Sequence, residues 1–234
     1  MRKFFIQIKN DKVIFSLSDI KHLKVLRIKK DKKLKCYDQN GNNVLVNIDS
    51  LDPFEASLVE MQETKMKIQP YNITCFMGVI KKNNFELVVE KMNELNILEI
   101  YPTYFGYSQN NIKLNYERLN KIAQESCKQS NRTKPIVIHS ELNFNQLIDK
   151  LKEFDYVFFC YENENKNILS NLNNIENNKK IAFIIGPEGG FKKDEVKIIE
   201  KYAIKIKLTN TILKSETAAI YIASNLIERF WNEK

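Results

Sequence analysis

The stretch IAFIIGPEGGF, Ile181–Phe191, decides the fold of this chain. Its first five residues are apolar and read as a buried strand, which stops at once in GPEGG. There the side chains nearly vanish while the backbone stays exposed. The loop glycines accept positive φ and let a ligand come close, Pro187 fixes one φ, and Glu188 alone brings charge. Residues 192–202, KKDEVKIIEKY, read as a helix, so the loop stands at the carboxyl end of a strand, where open α/β sheets bind small molecules. The alternative is an ordinary strand-to-helix turn, for which Gly and Pro are equally suited. Neither the GxxxxGK[ST] nor the GxGxxG spacing is present in the loop, which disfavours ordinary nucleoside triphosphate and NAD binding.

Working outward, strands and helices alternate. ITCFMGVI, a helix over Asn84 to Leu95, LEIYP, a helix over Tyr116 to Gln129, IVIH, a helix near Leu142 to Phe154 and YVFFC precede the loop; AIKIKL and the helix TAAIYIASNLIERFW follow it. Such alternation implies a parallel sheet in an α/β domain. Phe85, Val88, Val89, Met92 and Leu95 recur at helical spacing, as do Ala219, Ile222, Ala223, Leu226 and Phe230, so each set is the buried face of its helix. The polar run from Glu162 to Lys180 is read as a surface connection. Residues 1–70 have a different rhythm, with the short strands RKFFIQI, KVIFSL, KLKCYD, NVLVNID and FEASLVEM and one helix around Ser18 to Leu26. Asn40-Gly41 marks a hairpin in which both turn residues accept positive φ. This region is a small β-barrel or sheet, and Gln69-Pro70-Tyr71 separates it from a second domain over residues 71–234.

The 234 residues, 43% of them hydrophobic, suffice for a real core. No stretch reaches the length of a membrane span, and MRKFFIQIKNDK turns charged too early for a signal peptide, so a cytoplasmic protein with no membrane association is expected. Cys36, Cys75, Cys127 and Cys160 lie singly in apolar or helical segments without the CxxC spacing of a metal site; they read as reduced packing residues, and no metal is expected. Lys+Arg 37 against Asp+Glu 29 gives a net charge of +8, which suits a polyanionic partner such as nucleic acid or an acidic membrane surface. Abundant Asn, Lys and Ile also fit an AT-rich coding sequence, so charge alone supports RNA weakly.

IIGPEGGF-x-x-x-E at 184–195 together with ILKSETA at 212–218 resembles the SPOUT superfamily of knotted methyltransferases, specifically the 16S ribosomal RNA uridine-N3 methyltransferases. HLKVLR at 22–27 is similar to that family's H-x-x-VLR; Lys81, Glu86, Lys91, Glu94 and Leu95 resemble its K…E…K-x-x-EL helix; and QSNRTKP at 129–135 resembles its QS-x-R-x-x-P segment. The resemblance covers nearly the whole chain. It implies a PUA-like RNA-binding β-barrel followed by an α/β domain with a C-terminal trefoil knot, a homodimer, S-adenosylmethionine as cofactor, and a uridine in 16S ribosomal RNA of the small subunit as target.

On this resemblance, Ile185, Gly186 and Gly190 would flank the cofactor on one side, with Leu208, Leu213, Thr217 and Ala218 on the other. The residue-level alternative makes Ser215 a helix N-cap and Glu216 a partner of the helix dipole. Methylation at N3 requires that the imide proton leave, so Arg132 is a candidate to stabilise negative charge on the uracil or to grip a phosphate, and Glu188 and Glu216 are candidate proton acceptors or orienting groups. Glu188 has a second reading, as a tie holding the loop through backbone N–H groups. His22, Arg27, Lys81, Lys91 and Arg132 are candidate RNA contacts, the lysines being equally suited to a solvated surface and His22 to a packed or hydrogen-bonded place in the barrel. The chain departs from the family's LG-x-RILR-x-ETA at Thr209, Thr211 and Lys214, and Lys192 replaces the usual Ser or Thr helix cap. Two further readings share the fold: a noncatalytic RNA-binding or ribosome-assembly protein, and a ribose 2′-O-methyltransferase.

Overall fold

The computed structural model describes residues 4–10, 12–38, 40–62, 71–109, 111–130, 132–164 and 179–231, without the side chains of the last two. Most of the connection expected over Glu162 to Lys180, the Gln69-Pro70 boundary and the side chain of Phe230 therefore lie outside the described residues. Compactness divides the chain into Met1–Ile68 with Gln124–Pro135, and Gln69–Ala123 with Ile136–Lys234. A cut at residue 70 misses the excursion of Gln124–Pro135 into the first unit.

In the first unit β1 (Phe4–Lys9) and β2 (Lys12–Phe15) form a hairpin, followed by α1 (Leu17–Val25), β3 (Lys33–Tyr37), β4 (Asn43–Leu51) and β5 (Phe54–Gln62). The strand order is β2-β1-β3-β4-β5, with only β1 and β3 parallel. Along β4, Val44, Val46 and Ile48 alternate inward onto Phe4, Ile6, Leu23, Leu34 and Cys36. Register shifts at Leu45/Val46 and Ile48/Ser50 bend β4 against β5, and the rings of Phe15 and Phe54, 5.3 Å apart, bring the two edge strands together. The sheet is thereby curled toward a barrel. The turn at Asn40-Gly41 is longer than a two-residue hairpin: of these two residues Gly41 alone has positive φ, at 85°, and the Asp38 carboxylate accepts from the backbone N–H groups of Asn40 and Asn42.

The second unit contains β6 (Asn72–Gly78), α2 (Lys82–Glu94), β7 (Glu99–Thr103), the first half of α3 (Tyr116–Ser130), β8 (Val137–Ile138), α4 (Phe144–Leu151), β9 (Tyr156–Cys160), β10 (Lys180–Ile185), α5 (Lys193–Ile199), β11 (Ile204–Ile206) and α6 (Ser215–Trp231). The six strands lie in the order β11-β9-β10-β6-β7-β8, and every pairing is parallel. Strand alternation sorts the core into two faces. Ile73, Cys75, Met77, Phe158, Ile181 and Phe183 meet α2, α6 and the start of α3, whereas Phe76, Val157, Phe159, Ala182 and Ile184 meet α4 and α5. Each Val, Ile, Met or Phe among them, fully removed from water, contributes roughly 1.5–3 kcal/mol. The stripes read from sequence on α2 and α6 are buried as far as they are described, apart from Leu95, which is half-buried where α2 ends. Asn96, at φ 61°, closes that end, with its N–H on Asn93 O and that of Ile97 on Met92 O. Helix α4 is shorter than its periodicity suggests at both ends: a capping box of Asn143 and Gln146 fixes its start, and beyond Leu151 the N–H groups of Lys152, Glu153 and Phe154 bond carbonyls three residues back rather than four. Among the described residues, no helix is long and apolar enough to cross a membrane.

Candidate functional site

A cavity of about 520 Å³ opens where the parallel strands of the second unit end. Its walls are Lys81 and Asn84 beyond β6, Cys160 to Glu162 at and after the end of β9, Ile185 to Phe191 at and after the end of β10, and most of Lys207 to Ala218 after β11. All of these belong to the carboxyl ends of β6, β9, β10 and β11, so the position follows from the parallel sheet itself.

The GPEGGF loop is held from three directions. Gly190 N–H closes a turn onto Pro187 O at 2.9 Å and Gly190 takes φ 70°, a conformation that costs a side-chain-bearing residue. A Cβ on Gly78, at the end of β6, would stand 2.4 Å from Pro187 N, so the two strand ends touch backbone to backbone. Glu188 Oε1 accepts from Lys81 N–H at 3.2 Å across 107 residues of sequence. At the far end of the loop Phe191 packs edge-on against Phe105 and Phe159, with ring centroids 4.9 and 4.8 Å away. The ring of Phe191 also fills the space beside Gly186, where a Cβ would meet it at 2.7 Å.

The carboxylate of Glu195 is buried and bridges two elements, accepting from Lys192 N–H and from Gly106 N–H, both at 2.8 Å. Only this half of a capping box exists, because a lysine ammonium has no acceptor to offer in return. The Lys192 stem lies over Gly106 instead, with Nζ 5.9 Å from the centre of the Tyr107 ring.

Ile185, Gly186, Gly190, Leu208, Leu213 and Ala218 line the cavity, as do Lys81, Glu188 and Glu216. Thr217 does not: it faces solvent in the first turn of α6, while Ala218 is buried. Lys214 O accepts from Ala218 N–H at 2.8 Å, so Lys214 rather than Ser215 holds the cap position of α6. Thr209 and Thr211 are also on the wall, where the Thr209 hydroxyl donates to Thr211 O at 2.7 Å.

The remaining candidates lie elsewhere. Arg132 belongs to the first unit, is not part of the cavity wall, and donates from Nε to Lys134 O. His22 is half-buried on α1 with its ring 6.3 Å from that of Phe4. Arg27 is exposed just past α1, at φ 51°, where its N–H bonds Lys24 O and the Ile28 N–H bonds Leu23 O. Lys91 spends its charge on its own helix, 2.9 Å from both Glu90 and Glu94, and this raises its pKa. Glu86, of the same motif, pairs with Arg118 Nε at 2.6 Å, which lowers its pKa and ties α2 to α3.

Sequence reading missed Cys160, Tyr161, Glu162 and Lys207 as wall residues. Cys160 and Lys207 end YVFFC and AIKIK, and Tyr161 and Glu162 follow the first of these, so applying the strand-end rule to those strands as well as to IAFII would have found them. Burial drives the Cys160 thiol far above its usual pKa, so it is a neutral part of the wall. Among the described residues, no group of three or more His, Cys, Asp or Glu is placed to hold a metal ion.

Residues 67–227, most of the chain, match the family described as RNA methyltransferase domain. The chain belongs to that family. Similarity to relatives extends beyond that span: a ribosomal RNA small subunit methyltransferase E from Mesomycoplasma hyopneumoniae is 28% identical over 97% of this chain and 100% of its own. A crystal structure of a ribosomal RNA small subunit methyltransferase E from Neisseria gonorrhoeae bound to S-adenosyl methionine has the same fold, with TM-score 0.76, 21% identity, and coverage of 97% of this chain and 96% of that one. A crystal structure from Porphyromonas gingivalis superposes with TM-score 0.84 at 21% identity, covering 97% of this chain and 98% of that one.

Proposed function

We propose that this chain methylates N3 of a uridine in 16S ribosomal RNA of the small ribosomal subunit, using S-adenosylmethionine. The observation that carries the reading is the cavity at the strand ends of a chain belonging to an RNA methyltransferase family. Its chemistry fits the cofactor: Ile185, Leu208, Leu213 and Ala218 offer apolar surface to an adenine, Lys81, Lys207 and Lys214 suit a carboxylate, and Glu162, Glu188 and Glu216 suit cationic groups. The volume is in the usual range for a ligand of that size, roughly 300–1,000 Å³. S-adenosylmethionine, when bound, supplies an electrophilic methyl group.

The protein's own residues must expose the base and take its proton. Glu188 already serves Lys81 N–H as a loop tie, which leaves the half-buried Glu216 as the favoured proton acceptor. Arg132 neutralises charge developing on the uracil oxygens or grips a phosphate beside it, and His22, Arg27 and Lys81 contribute RNA contacts. N3 lies on the Watson–Crick edge, so the uridine is reached only when unpaired or flipped.

The finer architecture belongs to the same reading. The curled first sheet is a PUA-like barrel; the return of the chain from β11, beside β9, to α6, packed on α2, is the crossing of a trefoil knot; and the enzyme works as a cytoplasmic homodimer without a metal. Titration calorimetry with S-adenosylmethionine tests the site. Failure of the folded protein to bind would favour a noncatalytic assembly protein, and transfer to ribose oxygen would favour a 2′-O-methyltransferase.

A further inference from the structure

The QSNRTKP segment does not fold with the sheet that carries the cavity. Gln124–Pro135 is packed with the N-terminal unit, and two contacts hold it there. Lys128 Nζ lies 2.6 Å from Asp19 Oδ1 on α1, with the two side chains only 8% and 6% exposed. The second carboxylate oxygen of Asp19 accepts from Ser16 Oγ at 2.8 Å, so the acceptor is held in place from its own helix cap. On the hairpin side, a Cβ added to Gly41 would stand 3.2 Å from Thr133 O, which seats the segment directly on the β3–β4 turn. Between these anchors is Arg132, whose Nε donates to Lys134 O within the same segment.

A lone buried ion pair is a poor source of stability, because desolvation of both charges offsets their attraction; what it supplies is direction. We propose that Asp19 and Lys128 are positioning residues, through which α1 of the N-terminal unit holds Gln124–Pro135 so that Arg132 meets the RNA. The unit would then take part in turnover as well as in binding. This inference rests on the reading of Arg132 as an RNA contact.

The test uses the full chain, small ribosomal subunits and S-adenosylmethionine, at a temperature well below the melting point of every variant. Lys128→Met and Asp19→Asn should each lower kcat at least tenfold while the Kd for S-adenosylmethionine stays unchanged, and Lys128→Arg should restore most of the rate. Wild-type kcat in Lys128→Met and Asp19→Asn, with only a lowered melting temperature, would overturn the inference while Arg132→Ala remained inactive. Full turnover by Arg132→Ala would instead overturn the reading of Arg132 and this inference with it. Should Lys128→Met not fold, Gly41→Ala presses on the segment from the hairpin; reduced kcat at unchanged cofactor affinity supports the proposal, and unchanged kcat refutes it.

Discussion

Glu188 and Glu216 share one cavity, yet their surroundings differ. Glu188 accepts the backbone N–H of Lys81, a task that a neutral amide oxygen performs nearly as well, whereas a glutamate that takes a proton cannot be replaced by its amide. Glu188→Gln is therefore expected to keep turnover within about threefold, and Glu188→Ala to weaken S-adenosylmethionine binding by about fivefold, equivalent to one hydrogen bond of ~1 kcal/mol. Glu216→Gln should bind the cofactor normally and lose turnover; single-turnover kinetics beside calorimetry separate the two effects. Arg27 presents a different balance. It occupies the left-handed position that ends α1, where glycine fits best, so Arg27→Gly should raise stability by up to ~1 kcal/mol while RNA affinity falls. Denaturant melts and filter binding measure both, and a loss of stability would contradict this account of the turn. The motif HLKVLR thus has a legible structural part in buried Leu23, but the strain at Arg27 depends on a backbone angle that no residue type announces.

At the scale of elements, the strand ends make the site, and the loop after β10 is fixed by its aromatic anchor. Phe191→Ala removes contacts with Phe105 and Phe159 and, the residue being half-buried, should cost less than the roughly 3–5 kcal/mol of a fully buried Phe, with weaker cofactor binding as the loop loosens. The buried thiols report on the sheets. Burial pushes the Cys36 thiol up to about 12 and raises that of Cys75, so both remain protonated at pH 8. A raised folded pKa means that this contribution to stability is complete below the unfolded thiol value and is lost as pH rises toward 12. Thiol-directed alkylation at pH 8 should therefore follow global unfolding; fast labelling of the native protein would contradict the burial. These elements were largely visible in the chain, since apolar periodicity separates the strands of the second unit from its helices. Asn40-Gly41 marks where the chain turns but not the type of turn, because the carboxylate of Asp38 organises a longer loop there. Lys128 looked like any lysine late in a helix, for its partner Asp19 is 109 residues away.

For the whole molecule, the net charge of +8 belongs with a polyanionic target. RNA affinity should fall steeply and linearly in log–log form as salt rises, whereas affinity for S-adenosylmethionine, held in a cavity, should change little. The alternation of strands and helices pointed to the parallel sheet, but it could not place Gln124–Pro135, because the division into units is a matter of tertiary packing. A chain crossing is equally silent in periodicity, and unknotted paths are the general expectation. Methyl transfer to N3 is read by nucleoside mass spectrometry of 16S RNA after purified protein has acted on small ribosomal subunits with isotopically labelled S-adenosylmethionine. Label in a uridine methylated at N3 is the expected result. Label confined to ribose, or none in the RNA despite bound cofactor, would contradict it.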